Sequence, residues 1–382
     1  MGMRIAIIGA TGSIGTQALD VVSEHPERFT VVALAAGSES ERFSTLRSAH
    51  PHAHAITGGS RQDLVALVEA SAPDLVLVAS AGLVALPATL AALRGGAAVA
   101  IANKETIVAG GELVIAAARE AAARAGTSVL ERLRPVDSEH SALWQCLAGE
   151  DPASVAALWL TASGGPFRER GATEIAMATV EEALAHPTWS MGAKITIDSA
   201  SLVNKGLEVI EAHRLFDVPI AQIHIAIHPQ SVVHGLVEFS GGSTKAQLGV
   251  PDMRSPIAYA MGYPERMATR VRSVNLFERG TLSFAAPDLI RFPGLQLALE
   301  AGMRGQAATG TLIAADDVAV TRFLAGDMLF GGIPALIEAA LTRFVHATSP
   351  RDVADVLALD EEVRTFARSW RPSAALTRGS HA

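Results

Sequence analysis

The sequence predicts an α/β chain in three parts. An N-terminal parallel sheet carries helices on both faces, an α+β central domain follows, and a helical C-terminal domain ends the chain. Three observations carry this reading. Apolar runs alternate with helical periodicity over residues 1–128. Short β-like runs and dense polar clusters fill 129–262, and a connecting segment with several prolines and charges covers 263–290. Helical spacing returns from Phe292 and sets the last domain at 291–382. For 382 residues, at about 100–200 per domain, two or three domains are expected.

In the first part, the apolar run 4–8 and the partly β-branched run 30–35 flank a helix at 16–23. Further strands are expected at 75–79 and 97–102, with a helix from Pro87 onward. A strong alanine-rich helix at 112–125 closes on Gly126. Such βαβ alternation calls for a parallel sheet buried on both faces. Residues 75–93 carry no charge and approach the ~20 residues of a membrane helix. Ser80, Gly82 and Pro87 divide them into a buried strand, a turn and a helix, so no membrane association is expected. In the middle, β-like runs fall at 156–161, 194–197 and 223–227. The last places Ile223, Ile225 and Ile227 on one face and His224 and His228 on the other. Helices are expected at 295–302, 311–324, 333–344 and 350–359.

Lysine and arginine total 31 against 39 acidic residues, a net charge of −8, and 49% of the residues are hydrophobic. That apolar content excludes a disordered chain. The acidic balance argues against a nucleic-acid partner. Cys146 is the single cysteine, so a disulfide within the chain is excluded and a reducing, cytoplasmic compartment is expected. It follows Ala142 and Leu143 at helical spacing and reads as packing. The apolar run 5–8 is too short for a signal peptide and meets glycine at once. Residues 378–381 read as a remnant appended to the fold.

Gly9, Gly12 and Gly15 follow a strand and open a helix. Glycine lets the backbone approach a pyrophosphate, and the helix N-terminus adds N–H donors and a favourable dipole. The GxxGxxG spacing marks a dinucleotide site in a Rossmann-like sheet or an ordinary βα turn, and the flanking elements favour the dinucleotide. After the second strand, an acidic residue ordinarily takes the ribose hydroxyls of NAD. Here Ser38, Ser40 and Arg42 suit a 2′-phosphate while Glu39 and Glu41 oppose it. The residues alone leave NAD and NADP undecided.

Asn103, Lys104 and Glu105 follow a strand where the nicotinamide end of such a cofactor lies. Lys104 suits hydrogen bonding or protonation of a substrate oxygen, or is a surface charge. Asp137 and Glu139 flank Ser138 and share a face if the backbone is extended, which suits two oxygen ligands of a hard divalent ion. A solvated turn or cap is the alternative. Ser163, Gly164 and Gly165 offer a hydroxyl and free amides to an anion, or form a plain turn. Ser199, Asn204 and Lys205 offer donors to a phosphate, or cap and solvate a helix start. Glu208 lies three past Lys205, on the same face if helical, and can supply a third carboxylate. The stretch from His186 to Gly192 holds Pro187, Trp189 and Met191. Its composition suits a lid that excludes water, or a rigid loop around a buried Trp. His50, His52 and His54 surround Pro51 and read as loop residues. His224, His228 and His234 read as structural or interfacial.

Taken in order, these motifs resemble the 1-deoxy-D-xylulose 5-phosphate reductoisomerases over nearly the whole chain. They are Gly9 to Gly15, Asn103 to Glu105, Pro135 to His140, Ser163 to Phe167, His186 to Gly192 and Asp198 to Glu208. Ile227 to Ser231, Pro251 to Arg254, Ala286 to Asp288 and Ala314 to Asp317 complete them. The resemblance implies NADPH- and metal-dependent conversion of 1-deoxy-D-xylulose 5-phosphate to 2-C-methyl-D-erythritol 4-phosphate in isoprenoid-precursor synthesis, by a V-shaped homodimer. It implies that Asp137, Glu139 and Glu208 bind Mg²⁺ or Mn²⁺. Ser163, Ser199, Asn204 and Lys205 would hold the phosphate end of the substrate, with His186 close by. Ser138 and Lys104 would contact the reacting oxygens, and Glu139 and Glu208 would also reach the substrate. Lys104, Glu139 and His186 form the implied catalytic set. Thr11, Gly12, Ser13, Ile14, Gly37, Asn103, Glu105 and Gly192 would contact NADPH.

The chemistry suits these roles. A divalent ion on adjacent oxygens polarises a carbonyl. Retro-aldol and aldol steps then give an aldehyde that hydride reduces. A closed lid retains the fragments, and remote phosphate contacts supply binding energy for closure.

The chain departs from the family pattern in places. Residues 123–133 form a longer stretch, Arg134 replaces an apolar residue, Ser38-Glu39 replaces a basic residue and Asn, and Asp316 replaces a common Asn. Two other readings compete. One is another NADP-dependent reductase or reductoisomerase of a small phosphorylated substrate, where a ketol-acid reductoisomerase lacks the phosphate donors seen here and an aspartate-semialdehyde dehydrogenase needs a catalytic cysteine. A non-catalytic dinucleotide sensor would be free to lose the carboxylate, phosphate and lid sets.

Overall fold

The computed structural model describes residues 2–189 and 191–371. Ser190, within the expected lid, and the remnant 378–381 lie outside the described residues. The chain opens with β1 (Met3–Ile8), α1 (Ser13–Glu24), β2 (Phe29–Ala36), α2 (Glu41–Ala49), β3 (His54–Thr57), α3 (Arg61–Ser71) and β4 (Leu75–Val78). Next come α4 (Leu86–Gly95), β5 (Ala98–Ile101), α5 (Lys104–Ala125), α6 (Val129–Arg132), β6 (Leu133–Pro135) and α7 (Ser138–Leu147). β7 (Val155–Ala162), α8 (Ala172–Ala176), α9 (Val180–Leu184), α10 (Ala193–Ala200), α11 (Val203–Phe216) and β8 (Ile223–Ile227) follow. Then come β9 (Val233–Phe239), β10 (Thr244–Leu248), α12 (Arg254–Gly262) and α13 (Leu276–Arg279). α14 (Pro293–Arg304), α15 (Gln306–Leu324), α16 (Gly332–Arg343) and α17 (Val353–Ser369) close the fold. Two compact units result. One is the chain up to Ala156 with Val232–Arg279, and the other is Ala157–Ser231 with the chain from Gly280 onward.

The first unit holds a six-stranded sheet in the order β3-β2-β1-β4-β5-β6, with every pair parallel. The order reverses between β1 and β4. A ligand crevice opens at the carboxyl ends of strands at such a switch point. Every residue of β4 and β5 is buried, as a sheet covered on both faces requires. The charge-free stretch divides as expected into β4, a turn and α4, with Pro87 near the start of that helix. Among the described residues, no helix is long and apolar enough to cross a membrane.

α5 kinks at Gly111 and ends on Gly126 in the left-handed conformation that glycine adopts without strain. The longer stretch after it forms α6 and then β6, which pairs with β5. Arg134 is explained there. Its guanidinium donates to the carbonyls of Glu131 at 3.0 Å and Ala260 at 2.8 Å, and lies over the Tyr263 ring. β9 and β10 form an antiparallel ladder in this unit. Gly235 on β9 lets α7 pack close, because a Cβ there would sit 3.2 Å from both Glu139 O and Ala142 Cβ.

In the second unit β7 and β8 pair in parallel, from Leu158 with Ile223 to Ala162 with Ile227. His228 is buried, stacks on Phe284 at 4.6 Å and lies 2.9 Å from Ser283 O, which suits its structural reading. Residues 194–197 correct the sequence reading, since they belong to helix α10 rather than to a β-like run. The β-branched Ile195-Thr196-Ile197 mimics a strand, but Gly192 caps the helix and Thr196 Oγ1 donates back to Gly192 O at 2.9 Å. The four C-terminal helices lie where helical spacing put them, with α17 extending further than expected.

Cys146 is only 5% exposed on α7, and burial pushes its thiol above the ordinary cysteine range. A thiol in that state is a poor nucleophile. We therefore expect Cys146 to resist a thiol-specific disulfide reagent in the native protein and to react fully in denaturant. Fast native labelling would contradict its role as packing.

Candidate active site

The dinucleotide end is built in the first unit. Gly9 follows β1 at φ +94°, and a Cβ there would lie 2.5 Å from Ala79 O at the end of β4. A Cβ at Gly15 would lie 2.2 Å from Gly9 O. Both positions therefore require glycine so that β1, β4 and α1 can meet. Gly12 is the N-cap of α1 and offers no side chain to its amides, and the first turn holds no acidic residue. Gly12 and Ser13 are exposed, and Thr11 and Ile14 are half-buried. Unsatisfied amides, a positive helix end and no opposing carboxylate fit a pyrophosphate.

Gly37 follows β2, exposed, with no atom near a would-be Cβ. Ser40 is occupied as the N-cap of α2, accepting from Phe43 N at 3.1 Å. The Glu39 carboxylate pairs with Arg47 at 3.5 Å. Asn103 caps α5 by accepting from Thr106 N at 2.7 Å. Its amide donates to Ser80 O at 2.5 Å, Gly82 O at 2.9 Å and Glu105 Oε2 at 3.0 Å. Asn103 thus ties the loop after β4 to the loop after β5. Sequence reasoning missed that clamp, because its partners lie more than twenty residues away.

Lys104 opens α5 and its ammonium pairs with the Asp137 carboxylate. The extended backbone that was the condition for Asp137 and Glu139 to share a face is not met, and the helix-cap alternative holds for Asp137. Asp137 is the N-cap of α7, Ser138 opens the helix, and Glu139 lies in its first turn. The Asp137 carboxylate does not cap that helix, and the buried His140 Nδ1 lies 3.7 Å from it. Ser138 Oγ donates to the Glu139 carboxylate. A helix N-terminus favours both negative charges. The carboxylates here are oxygen donors only, as a hard divalent ion requires.

The phosphate end is built in the second unit. Ser163 Oγ lies 3.1 Å from His186 Nε2, and Gly165 N donates to Ser163 Oγ at 3.2 Å. His186 Nδ1 accepts from the backbone amides of Thr188 at 3.1 Å and Trp189 at 2.9 Å. That pattern assigns the ring proton to Nε2. Burial lowers the His186 pKa below its ordinary value, so the ring is a neutral donor near neutral pH.

Gly165 sits at φ +67°, and a Cβ there would lie 2.9 Å from Ser199 O, so the Ser163–Gly165 turn presses onto the end of α10. α10 meets α11 through Leu202, which is 3% exposed and left-handed at φ 58°. That conformation costs a non-glycine residue about 1–2 kcal/mol. The turn sets Ser199 near the end of one helix and Asn204 and Lys205 at the start of the next. Lys205 pairs with Glu208, and Asn204 Nδ2 donates to Glu208 Oε1 at 2.5 Å. Asn204 Oδ1 is buried with no hydrogen-bond partner among the described residues. Gly206 lets α11 touch α14, because a Cβ there would lie 2.3 Å from Ala298 Cβ. Gly192 is exposed at the N-cap of α10.

The 1-deoxy-D-xylulose 5-phosphate reductoisomerase profile matches residues 5–58 and 44–111. Its C-terminal domain profile matches 133–216, and a second DXP reductoisomerase C-terminal domain profile matches 248–366. The Symbiobacterium thermophilum reductoisomerase is 47% identical over 96% of this chain and 98% of its own length. The Thermomicrobium roseum one is 44% identical over 96% and 97%. A solved Zymomonas mobilis reductoisomerase in complex with NADPH superposes with a TM-score of 0.85 at 37% identity, covering 99% of this chain and 100% of that one. A reductoisomerase structure with NADPH, fosmidomycin and magnesium gives 0.85 at 36% identity, over 96% and 97%. With its relatives matched from end to end, this chain belongs to the 1-deoxy-D-xylulose 5-phosphate reductoisomerase family.

Proposed function

We propose that the chain converts 1-deoxy-D-xylulose 5-phosphate to 2-C-methyl-D-erythritol 4-phosphate with NADPH and Mg²⁺ or Mn²⁺, as a cytoplasmic homodimer in the non-mevalonate route to isoprenoid precursors. The observation that carries this reading is the near full-length match to reductoisomerases at 44% and 47% identity. In this reading 1–128 binds NADPH, 129–262 serves catalysis and dimerisation, 263–290 connects, and 291–382 is the C-terminal helical domain.

Asp137, Glu139 and Glu208 would hold the divalent ion, which supplies a Lewis acid for the substrate carbonyl and its neighbouring hydroxyl. Lys104 Nζ, at the start of α5, donates to the reacting oxygen and stabilises its developing charge. Ser138 orients the adjacent hydroxyl. Ser163, Ser199, Asn204 and Lys205 bind the phosphate, which the neutral His186 also approaches through Nε2–H. Thr11, Gly12, Ser13 and Ile14 cradle the pyrophosphate of NADPH, and Gly37, Asn103, Glu105 and Gly192 complete its surroundings. The pairing of Glu39 with Arg47 removes one objection to a 2′-phosphate. Retro-aldol cleavage and aldol re-addition would give an aldehyde, which hydride supplied by bound NADPH would reduce. The cysteine-dependent alternative is disfavoured by the burial of Cys146.

Purified protein given substrate, Mn²⁺ and NADPH is expected to consume NADPH, and to stop when a chelator is added. Folded protein that binds NADPH but shows no turnover would favour the sensor reading. An NMR titration is expected to place the His186 midpoint below the ordinary 6.5. As pH falls below that value the unfolded chain takes up the proton first, so this histidine's contribution to stability is full above pH 6.5 and lost below it. A midpoint above 6.5 would contradict the neutral donor role.

A further inference from the structure

We infer that Lys194 is a positioning residue for the phosphate end of the substrate, bridging Asp198 on α10 to Asp316 on α15 and so fixing the end of α10 where Ser199 stands. The inference rests on the proposed function. Lys194 Nζ lies 2.7 Å from Asp198 Oδ2 and 2.7 Å from Asp316 Oδ2. Both aspartates are buried and Lys194 is half-buried. The two helices are joined through side chains 122 residues apart in sequence.

Local helix preference does not account for this lysine. It lies in the first turn of α10, where the positive helix end disfavours a cation. It also precedes its acidic i+4 partner, the weaker order for such a pair. A buried ion cluster is in general a poor source of net stability, and its best-attested use is to select one geometry. Both carboxylates meet the Lys194 ammonium. Burial opposes the Lys194 charge, yet Asp198 and Asp316 hold its pKa well above the ordinary lysine value. Asp316 Oδ1 is buried with no hydrogen-bond partner among the described residues, so Lys194 is the cation that this carboxylate meets. Its neighbour Asp317 is engaged elsewhere, pairing with Arg364 on α17.

The placement of Asp198 turns this clamp toward the site. Ser199 is the next residue, and its carbonyl is the surface on which Gly165 of the Ser163 turn packs. The strained Leu202 junction and the donors Asn204 and Lys205 follow three, five and six residues after Ser199. Movement of α10 away from α15 would therefore displace Ser199, and with it the packing partner of the Ser163 turn. An amide at 316 still offers an oxygen to Lys194. An asparagine there would thus serve the same bridge.

Steady-state kinetics on Lys194→Met, Asp316→Ala and Asp316→Asn test this, with NADPH affinity measured in parallel by fluorescence. Lys194→Met and Asp316→Ala are expected to raise the substrate KM about tenfold with kcat within about threefold, as lost ground-state binding does. NADPH affinity should be unchanged in both. Asp316→Asn should recover most of the KM lost in Asp316→Ala. A merely structural role would lower the active fraction and kcat without this split. Wild-type KM in Lys194→Met and Asp316→Ala, a fall in kcat at constant KM, or no recovery by Asp316→Asn would overturn the inference. If Lys194→Met does not fold, the two Asp316 variants decide by the same criterion. An inactive wild type would instead refute the proposed function.

Discussion

A carboxylate withdrawn from water needs a positive partner. The structure answers that need with lysines at three polar clusters. Lys104 meets Asp137 in the first unit, Lys205 meets Glu208 in the second, and Lys194 serves Asp198 and Asp316 together. Asp137 and Glu208 are among the groups we assign to a divalent ion, and Lys104 and Lys205 are assigned to the substrate. In the proposed enzyme these carboxylates would hold a divalent ion in place of an ammonium, which would leave the lysines to substrate oxygens.

Close backbone packing makes such pairs possible. Gly9 and Gly15 bring β1, β4 and α1 together, Gly235 admits α7 to β9, and Gly206 seats α11 on α14. A Cβ would strike a neighbour at Gly9, Gly15 and Gly206 and would crowd one at Gly235. The charged side chains therefore project from elements whose spacing is set by glycine, and their positions depend on contacts elsewhere in each unit.

Much of this was legible in the sequence. The strand–helix alternation and the switch-point glycines follow from periodicities of two and 3.6 and from the spacing of residues that only glycine satisfies. The Lys205 and Glu208 pair follows from their offset once α11 is helical. Other features rest on information that local pattern does not hold. Ile195-Thr196-Ile197 looks like a strand, and only the cap at Gly192 and the tertiary contacts of α10 make it a helix. For Asp137 and Glu139 an extended stretch and a helix cap both stayed open, because a helix start cannot be told from a strand over three residues. The roles of Asn103, Arg134 and Asp316 depend on partners from 21 to 126 residues away. The second compact unit also takes in two separate stretches of chain, Ala157–Ser231 and the part from Gly280 onward.

The most direct test of the assigned metal centre is a crystal of the full chain soaked in manganese and measured at the manganese absorption edge. The account predicts a single strong anomalous peak bound by carboxylate oxygens of Asp137, Glu139 and Glu208, with Lys104 and Lys205 no longer on those carboxylates. Manganese bound elsewhere, with Lys104 still on Asp137 and Lys205 still on Glu208, would contradict it.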